Sequence, residues 1–256
     1  MNKNISLKKD FMSFNKLKEQ NIINLYTLKP YNFRKNIVGE EKILSNYNNI
    51  QNDLNFNFEK IIKPNQNHTN TVKVVNEKNL NNSFDDVDGL ITNKNNIALV
   101  TSLADCQGIL LYDKENKVIG NIHSGWKGTL NKIIENAINL MISNFNSKPE
   151  NIEAYITPSI LKCCFEVDED VKELFINTFK DININNLITL GDIKNNKQKY
   201  FIDTVEINKR LMLNLGLKKE NIFESNICTK CNNEKMHSHR FEGELSGRNI
   251  ALICLK

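Results

Sequence analysis

The sequence predicts a mixed α/β (α+β) fold built as one domain over residues 1–256. Three observations predict it. Short apolar runs of strand length alternate with stretches whose apolar residues recur at helical spacing. No Pro/Gly/Ser-rich linker and no internal repeat divides the chain. A length of 256 residues is enough to bury a sizeable core.

The elements follow in order. Ile43, Leu44, Tyr47, Ile50 and Leu54 fall on one helical face, which predicts a helix over 39–54. Residues 73–75 and 97–102 read as strands. Residues 109–112 and 118–122 read as a hairpin, with 113–117 as its turn. Leu130, Ile133, Ile134, Ala137, Ile138, Met141 and Ile142 then repeat at i, i+3, i+4, i+7, i+8, i+11 and i+12. That spacing predicts an amphipathic helix opening at Thr129 as its N-cap, with free backbone N–H groups that suit an anion. Beyond it come a strand over 152–156, a helix over 167–179 with Asp168 near its start, and a strand over 200–202. A helix over 203–215 stops at Gly216, and residues 250–255 close the chain as a strand. Strict βαβ order is missing, as are G-x-G-x-x-G and G-K-[ST] loops, so neither a dinucleotide fold nor a P-loop is expected.

Bulk composition narrows the function classes. The chain is 40% hydrophobic and 25% charged, as in ordinary globular proteins. Its formal charge of +4 is small and its lysines are scattered, which disfavours nucleic acid as a partner. The opening residues have no apolar h-region, and no apolar run is long enough to span a bilayer. The expectation is a cytoplasmic protein whose six cysteines are reduced thiols.

Chemistry concentrates between Asp85 and Gly128. Cys106 follows Ala104-Asp105 at the end of one strand, and His123 ends the next, followed by Gly125, the single tryptophan Trp126 and Gly128. A lone buried thiol or imidazole is ordinarily a packing residue. The two at neighbouring strand ends point instead to joint use. His68, in the polar stretch P-N-Q-N-H-T, would complete a His/Cys/His set with one position open, the pattern of a catalytic zinc site. A competing metal set is Cys228-T-K-Cys231 with His237-S-His239, whose Cys spacing suits zinc but whose H-x-H falls outside the usual H-x₃₋₅-H. Cys163-Cys164 reads as packing, since vicinal cysteines rarely bridge.

These residues resemble the YfiH/laccase-domain family, polyphenol oxidase-like proteins with purine nucleoside phosphorylase activity. Gln66 to His68 resembles the family's Q-x-H-G, Asp88-Gly89-Leu90-Ile91-Thr92 its D-G-L-x-T, and Ala104-Asp105-Cys106 its A-D-C. His123-Ser124-Gly125-Trp126-Lys127-Gly128 is similar to H-A-G-W-R-G, and Cys164-Phe165-Glu166-Val167 to C-Y-E-V. Cys228-Thr229 resembles the C-T step, and Ser238 to Arg240 with Gly247-Arg248 the S-Y-R-R … G-R close. Three positions depart from the pattern: Thr69 stands for a glycine, His239 for a tyrosine and Phe241 for a second arginine.

The resemblance implies a four-layer α/β/β/α sandwich with mixed sheets, and a single Zn²⁺ held by His68, Cys106 and His123, with copper the less favoured metal. It implies phosphorolysis of adenosine, inosine, guanosine or methylthioadenosine to base and ribose 1-phosphate, accompanied by adenosine deamination. Purine nucleosides and phosphate are the expected partners. Arg240 and Arg248 are candidates for the phosphate. Cys106, His123 and Asp105 are the catalytic candidates, Asp105 as the group orienting His123 or accepting a proton. Two rival classes are a metal-independent hydrolase or deamidase with Cys106 as nucleophile and His123 as base, and a copper polyphenol oxidase. Four histidines are too few for a multicopper centre.

Overall fold

Strand alternation sets the layers. In the strand Gln107–Asp113, Ile109 and Leu111 turn to one face and Leu110 and Tyr112 to the other, and both faces are buried. A strand apolar on both sides must lie between two packed layers, and the computed structural model, which describes residues 4–8 and 10–256, shows them. One six-stranded sheet runs Ile5–Lys8, Phe11–Phe14, Ile22–Thr27, Asn249–Leu255, Ile97–Leu103 and Lys60–Ile62 across its width. The other runs Ile222–Glu224, Ile152–Ile156, Gln107–Asp113, Val118–Ser124, Gly89–Thr92 and Val72–Val74. Both mix parallel and antiparallel neighbours.

Three apolar clusters divide the molecule into four layers. Leu99, Ala251 and Ile253 of the first sheet meet Leu90, Leu110, Ile119 and Tyr155 of the second between the sheets. Ala98, Val100 and Leu252 face outward and are covered by the helix Glu40–Leu54 through Ile50, with Tyr47 and Ile43 beside it. Ile91, Ile109, Leu111 and Ile122 face outward on the other side, under the helices Ile133–Phe145, Glu169–Thr178 and Thr204–Asn214. Burying each large aliphatic side chain contributes roughly 1.5–3 kcal/mol, so the double-sided strands dominate the stabilisation. The order is the α/β/β/α sandwich that the family resemblance implied. A three-stranded sheet of Glu166–Val167, Lys197–Ile202 and Ile188–Lys194 adds a flank.

Most predicted elements appear within one to three residues of their expected ends. The hairpin pairs Asp113 with Val118 and Gly108 with His123, and the Asp113 carboxylate accepts from the N–H groups of Glu115 and Asn116 in its turn. Asp203 caps the helix Thr204–Asn214 by accepting from the Glu206 N–H, and Gly216 follows at φ +98°. Part of the 167–179 prediction is strand: Glu166–Val167 pairs with Phe201 and Tyr200, and the helix starts at Glu169.

One prediction needs correction in a way that matters for the site. The helix expected from Thr129 is two helices, Trp126–Leu130 and Ile133–Phe145, separated by Lys132 at φ +55°. Thr129 lies inside the first, buried, with its N–H donating to the Gly125 carbonyl. Its hydroxyl belongs to a buried network with Ser124 and the Asn208 amide. The helix end nearest His123 is therefore at Gly125 and Trp126, which line the same cavity, and not at Thr129. Among the described residues, no helix is long and apolar enough to cross a membrane.

Candidate active site and metal centre

The chain crosses between the two central sheets at residues 104–106, from Ile97–Leu103 in one to Gln107–Asp113 in the other. Turning within so few residues drives Asp105 to φ +80°, a conformation that a non-glycine residue adopts only under constraint. The turn presents the Cys106 thiol beside the end of Val118–Ser124, where His123 sits 3% exposed. His68 reaches the same point from the loop before Val72–Val74, also from a left-handed backbone at φ +58°. Its Nε2 lies 3.8 Å from the Cys106 Sγ, and the ring centroids of His68 and His123 are 4.9 Å apart, edge to face. One donor atom from each of His68, Cys106 and His123 lies within 4.8 Å of the others.

Asp88 organises this trio. Its carboxylate is fully buried, and Oδ1 accepts from His123 Nδ1 at 2.7 Å and from the His68 N–H at 3.1 Å. Oδ2 accepts from the N–H groups of Asn67 and Thr69 and from the Thr69 hydroxyl. Burial alone would raise the Asp88 pKa, but the His123 and Thr69 hydrogen bonds outweigh it and hold the carboxyl at about 2. The ionised carboxylate fixes the His123 tautomer with Nδ1 protonated, leaving Nε2 for the cavity. Thr69, where the family pattern has glycine, adds a hydroxyl donor to the same carboxylate. Burial opposes ionisation of Cys106 as well, yet the neighbouring His123 and His68 bring its thiol down to about 6. The thiolate in turn lifts His123 to about 9, against burial, with Asp88 helping.

Asp105 does not orient His123. Its Oδ1 accepts from the Thr229 hydroxyl and its Oδ2 from the Arg240 N–H, each at 2.6 Å. It is a positioning carboxylate that ties the crossover to the segment carrying Arg240. The sequence signal for Asp88 in this role is slight: D-G-L-I-T places an acid one residue before a buried strand.

The trio opens into a cavity of about 690 Å³, within the range of small-molecule sites. Trp126, Phe165 and Ile160 supply apolar walls, while Lys63, Lys127, Arg240 and Arg248 supply positive charge. Asp105, already engaged, is the one carboxylate among the lining residues, so the cavity favours an anion. Arg240 Nη1 donates to the carbonyls of Cys164 and Glu166, which fixes its guanidinium at the rim. Arg248 is held by the Ser246 hydroxyl and the Gly247 carbonyl. Phe241 is 59% exposed and does not line the cavity, so Arg240 and Arg248 are the two arginines there. His239 lines the cavity, whereas His237 is buried against the Tyr31 carbonyl. Neither joins Cys228 and Cys231, and the proposed Cys/Cys/His/His set is therefore not assembled.

Gly125 is where a side chain would intrude. A Cβ built there lies 3.0 Å from both Cys106 Sγ and His68 Cδ2. Gly125→Ala is expected to push the two donors apart and lower metal affinity by roughly 10–100-fold, as loss of a ligand-orienting group does. A metal titration of the variant checks this; unchanged affinity would mean that the trio tolerates the displacement.

Residues 36–256 match the family described as multi-copper polyphenol oxidoreductase laccase. The chain belongs to that family. It is 27% identical to a Bacillus subtilis protein named purine nucleoside phosphorylase YlmD, over 84% of this chain and 77% of the relative. A Borreliella burgdorferi purine nucleoside phosphorylase is 32% identical over 81% of this chain and 82% of its own length. A protein from an unknown prokaryote named adenosine deaminase RL5 is 28% identical over 79% and 78%. The fold is that of YlmD from Geobacillus stearothermophilus, with a TM-score of 0.88 at 21% identity over 99% of both chains. YfiH from Bacillus licheniformis superposes with a TM-score of 0.86 at 22% identity, over 99% of this chain and all of that one.

Proposed function

We propose that this protein is a metal-dependent enzyme of purine nucleoside metabolism. It splits adenosine, inosine, guanosine or methylthioadenosine with phosphate to base and ribose 1-phosphate, and deaminates adenosine at the same site. The observation that carries the reading is the convergence of His68, Cys106 and His123 at the floor of a cavity lined by Arg240, Arg248, Lys63 and Lys127. The names of the relatives from Bacillus subtilis, Borreliella burgdorferi and the unknown prokaryote support it.

The trio fits a metal by the chemistry of its donors. Two imidazoles and one thiolate suit zinc with a fourth position open. His123 Nδ1 is committed to Asp88, so Nε2 is the atom that would ligate a metal there. A metal there supplies Lewis-acid polarisation of an oxygen on substrate or water. Copper in a multinuclear cluster fits poorly, because the chain has four histidines and two of them stand outside the trio.

The chain's own groups do the rest. Arg240 and Arg248 hold the phosphate by forked hydrogen bonds, and the lysines add charge without such geometry. A phosphate oxygen bonds to C1′ of the ribose as the glycosidic bond breaks; the base leaves with the electron pair, and its nitrogen takes up the proton that the hydrogen phosphate gives up. Trp126 and Phe165 give the purine apolar surface to lie against. Asp105 keeps Arg240 in place through the backbone.

A second reading has one observation in its favour. Donor atoms of Cys106 and His123 lie within 4.8 Å of each other, and against burial this proximity brings the thiol down to about 6 and the imidazole up to about 9, the thiolate–imidazolium pair that a metal-independent Cys/His hydrolase or deamidase would use. Incubation of the protein with adenosine, with and without phosphate, separates the two. Adenine should appear only with phosphate, inosine in both cases, and a chelator should stop both. Adenine released equally fast without phosphate, and undiminished by chelator, would favour the hydrolase.

A further inference from the structure

A second cluster of donor side chains stands apart from the trio. Cys163 and Cys164 lie in the turn after Ile152–Ile156, and Cys228 and Cys231 in the loop after Ile222–Glu224. The sequence separates the pairs by more than sixty residues, and neither pair alone reads as a site. The fold joins them because Ile152–Ile156 and Ile222–Glu224 are parallel neighbours, and the pairing runs on through Ser159 and Cys228.

The four sulfurs have the spacing of one tetrahedral shell. Cys163 and Cys164 are 3.8 Å apart, Cys163 and Cys231 3.9 Å, and Cys164 and Cys231 3.4 Å, and all four lie within 4.8 Å of one another. Four sulfurs at ~2.3 Å around one zinc form a tetrahedron with edges of about 3.8 Å. A disulfide would need about 2.05 Å, and all four cysteines are free. Four thiols gathered at such range with no bridge between them are a mutual repulsion once ionised, unless a cation sits among them.

We propose that Cys163, Cys164, Cys228 and Cys231 hold a structural zinc ion, separate from the His68/Cys106/His123 centre. Four thiolates leave no open position, so this zinc binds no substrate and acts by cross-linking. What it cross-links is part of the cavity wall. Phe165 follows Cys164 directly, Arg240 donates to the carbonyls of Cys164 and Glu166, and Thr229, next to Cys228, holds Asp105. The second zinc would thus set the position of the phosphate-binding arginine without touching substrate.

The test is zinc content and coordination in protein purified under reducing conditions and freed of loosely held metal. The unaltered chain should hold two zinc ions, Cys106→Ala one, and the Cys164→Ser/Cys231→Ser double variant one. X-ray absorption of the zinc in Cys106→Ala should show four sulfur neighbours and no nitrogen. This measurement stands even if the double variant fails to fold. A Cys106→Ala protein without zinc, or with zinc bearing nitrogen or oxygen neighbours, would overturn the proposal. So would iron in place of zinc, or a Cys164–Cys231 disulfide in protein alkylated without reductant.

Discussion

Cys106→Ala is expected to lower base release from inosine by more than about a hundredfold, with loss of one equivalent of metal. Groups that merely orient a metal ligand account for 10–100-fold in affinity or activity, and removing the thiolate itself should exceed that. Cys106 supplies the anionic donor of the trio, facing His68 Nε2 at 3.8 Å. Without it two neutral imidazoles remain, a poor set for zinc. The fold should survive, because Cys106 is only half-buried and its crossover is held by Asp105 through Thr229 and Arg240. Steady-state kinetics, metal analysis and a thermal melt on one preparation check all three statements. Full activity in this variant would move the chemistry away from the trio.

Asp88→Asn should reduce metal affinity and activity by roughly 10–100-fold and also destabilise the fold. Both carboxylate oxygens accept hydrogen bonds, Oδ1 from His123 and His68, Oδ2 from Asn67 and Thr69. An asparagine has one acceptor and one NH₂, so in either orientation a donor meets donors. Leaving buried groups unsatisfied costs about 1–3 kcal/mol, and each kcal/mol lowers Tm by about 2–4 °C in a chain of this size. The sign also follows from linkage. Asp88's carboxyl is held below its unfolded value, so its stabilisation is complete above the unfolded pKa, near 4. It fades as pH falls toward about 2. The melting difference between the native chain and Asp88→Asn should therefore shrink as the solution is acidified below 4. An undiminished difference at pH 2 would mean that the carboxylate's charge is not what stabilises the loop.

What the sequence revealed and what it concealed divide along physical lines. The hairpin of 109–122 was readable because strands buried on both faces are unbroken apolar runs, and Asp113 marked its turn. The break at Lys132 was hidden because Leu130 and Ile133 keep helical spacing across it, and periodicity senses faces rather than continuity. Thr129 looked like a cap, but a tertiary partner, Asn208, competes for its hydroxyl. In the site, residue type alone marked His68, Cys106 and His123 as candidates. The part played by Asp88 was not visible, since it arises from placement against residues 20 and 35 positions away. The cysteine cluster shows the same limit. Cys228-x-x-Cys231 was matched with the nearest histidines in sequence, whereas the fold supplies Cys163 and Cys164.

In the proposed reaction phosphate, not water, takes the sugar from the base at the His68/Cys106/His123 site. Phosphorus NMR of a mixture of inosine, phosphate and protein tests it most directly. A ribose 1-phosphate signal should grow in step with the loss of phosphate and the release of hypoxanthine, and no such signal should appear with Cys106→Ala. Hypoxanthine forming while the phosphate signal stays constant, or ribose 1-phosphate forming at an undiminished rate with Cys106→Ala, would contradict it.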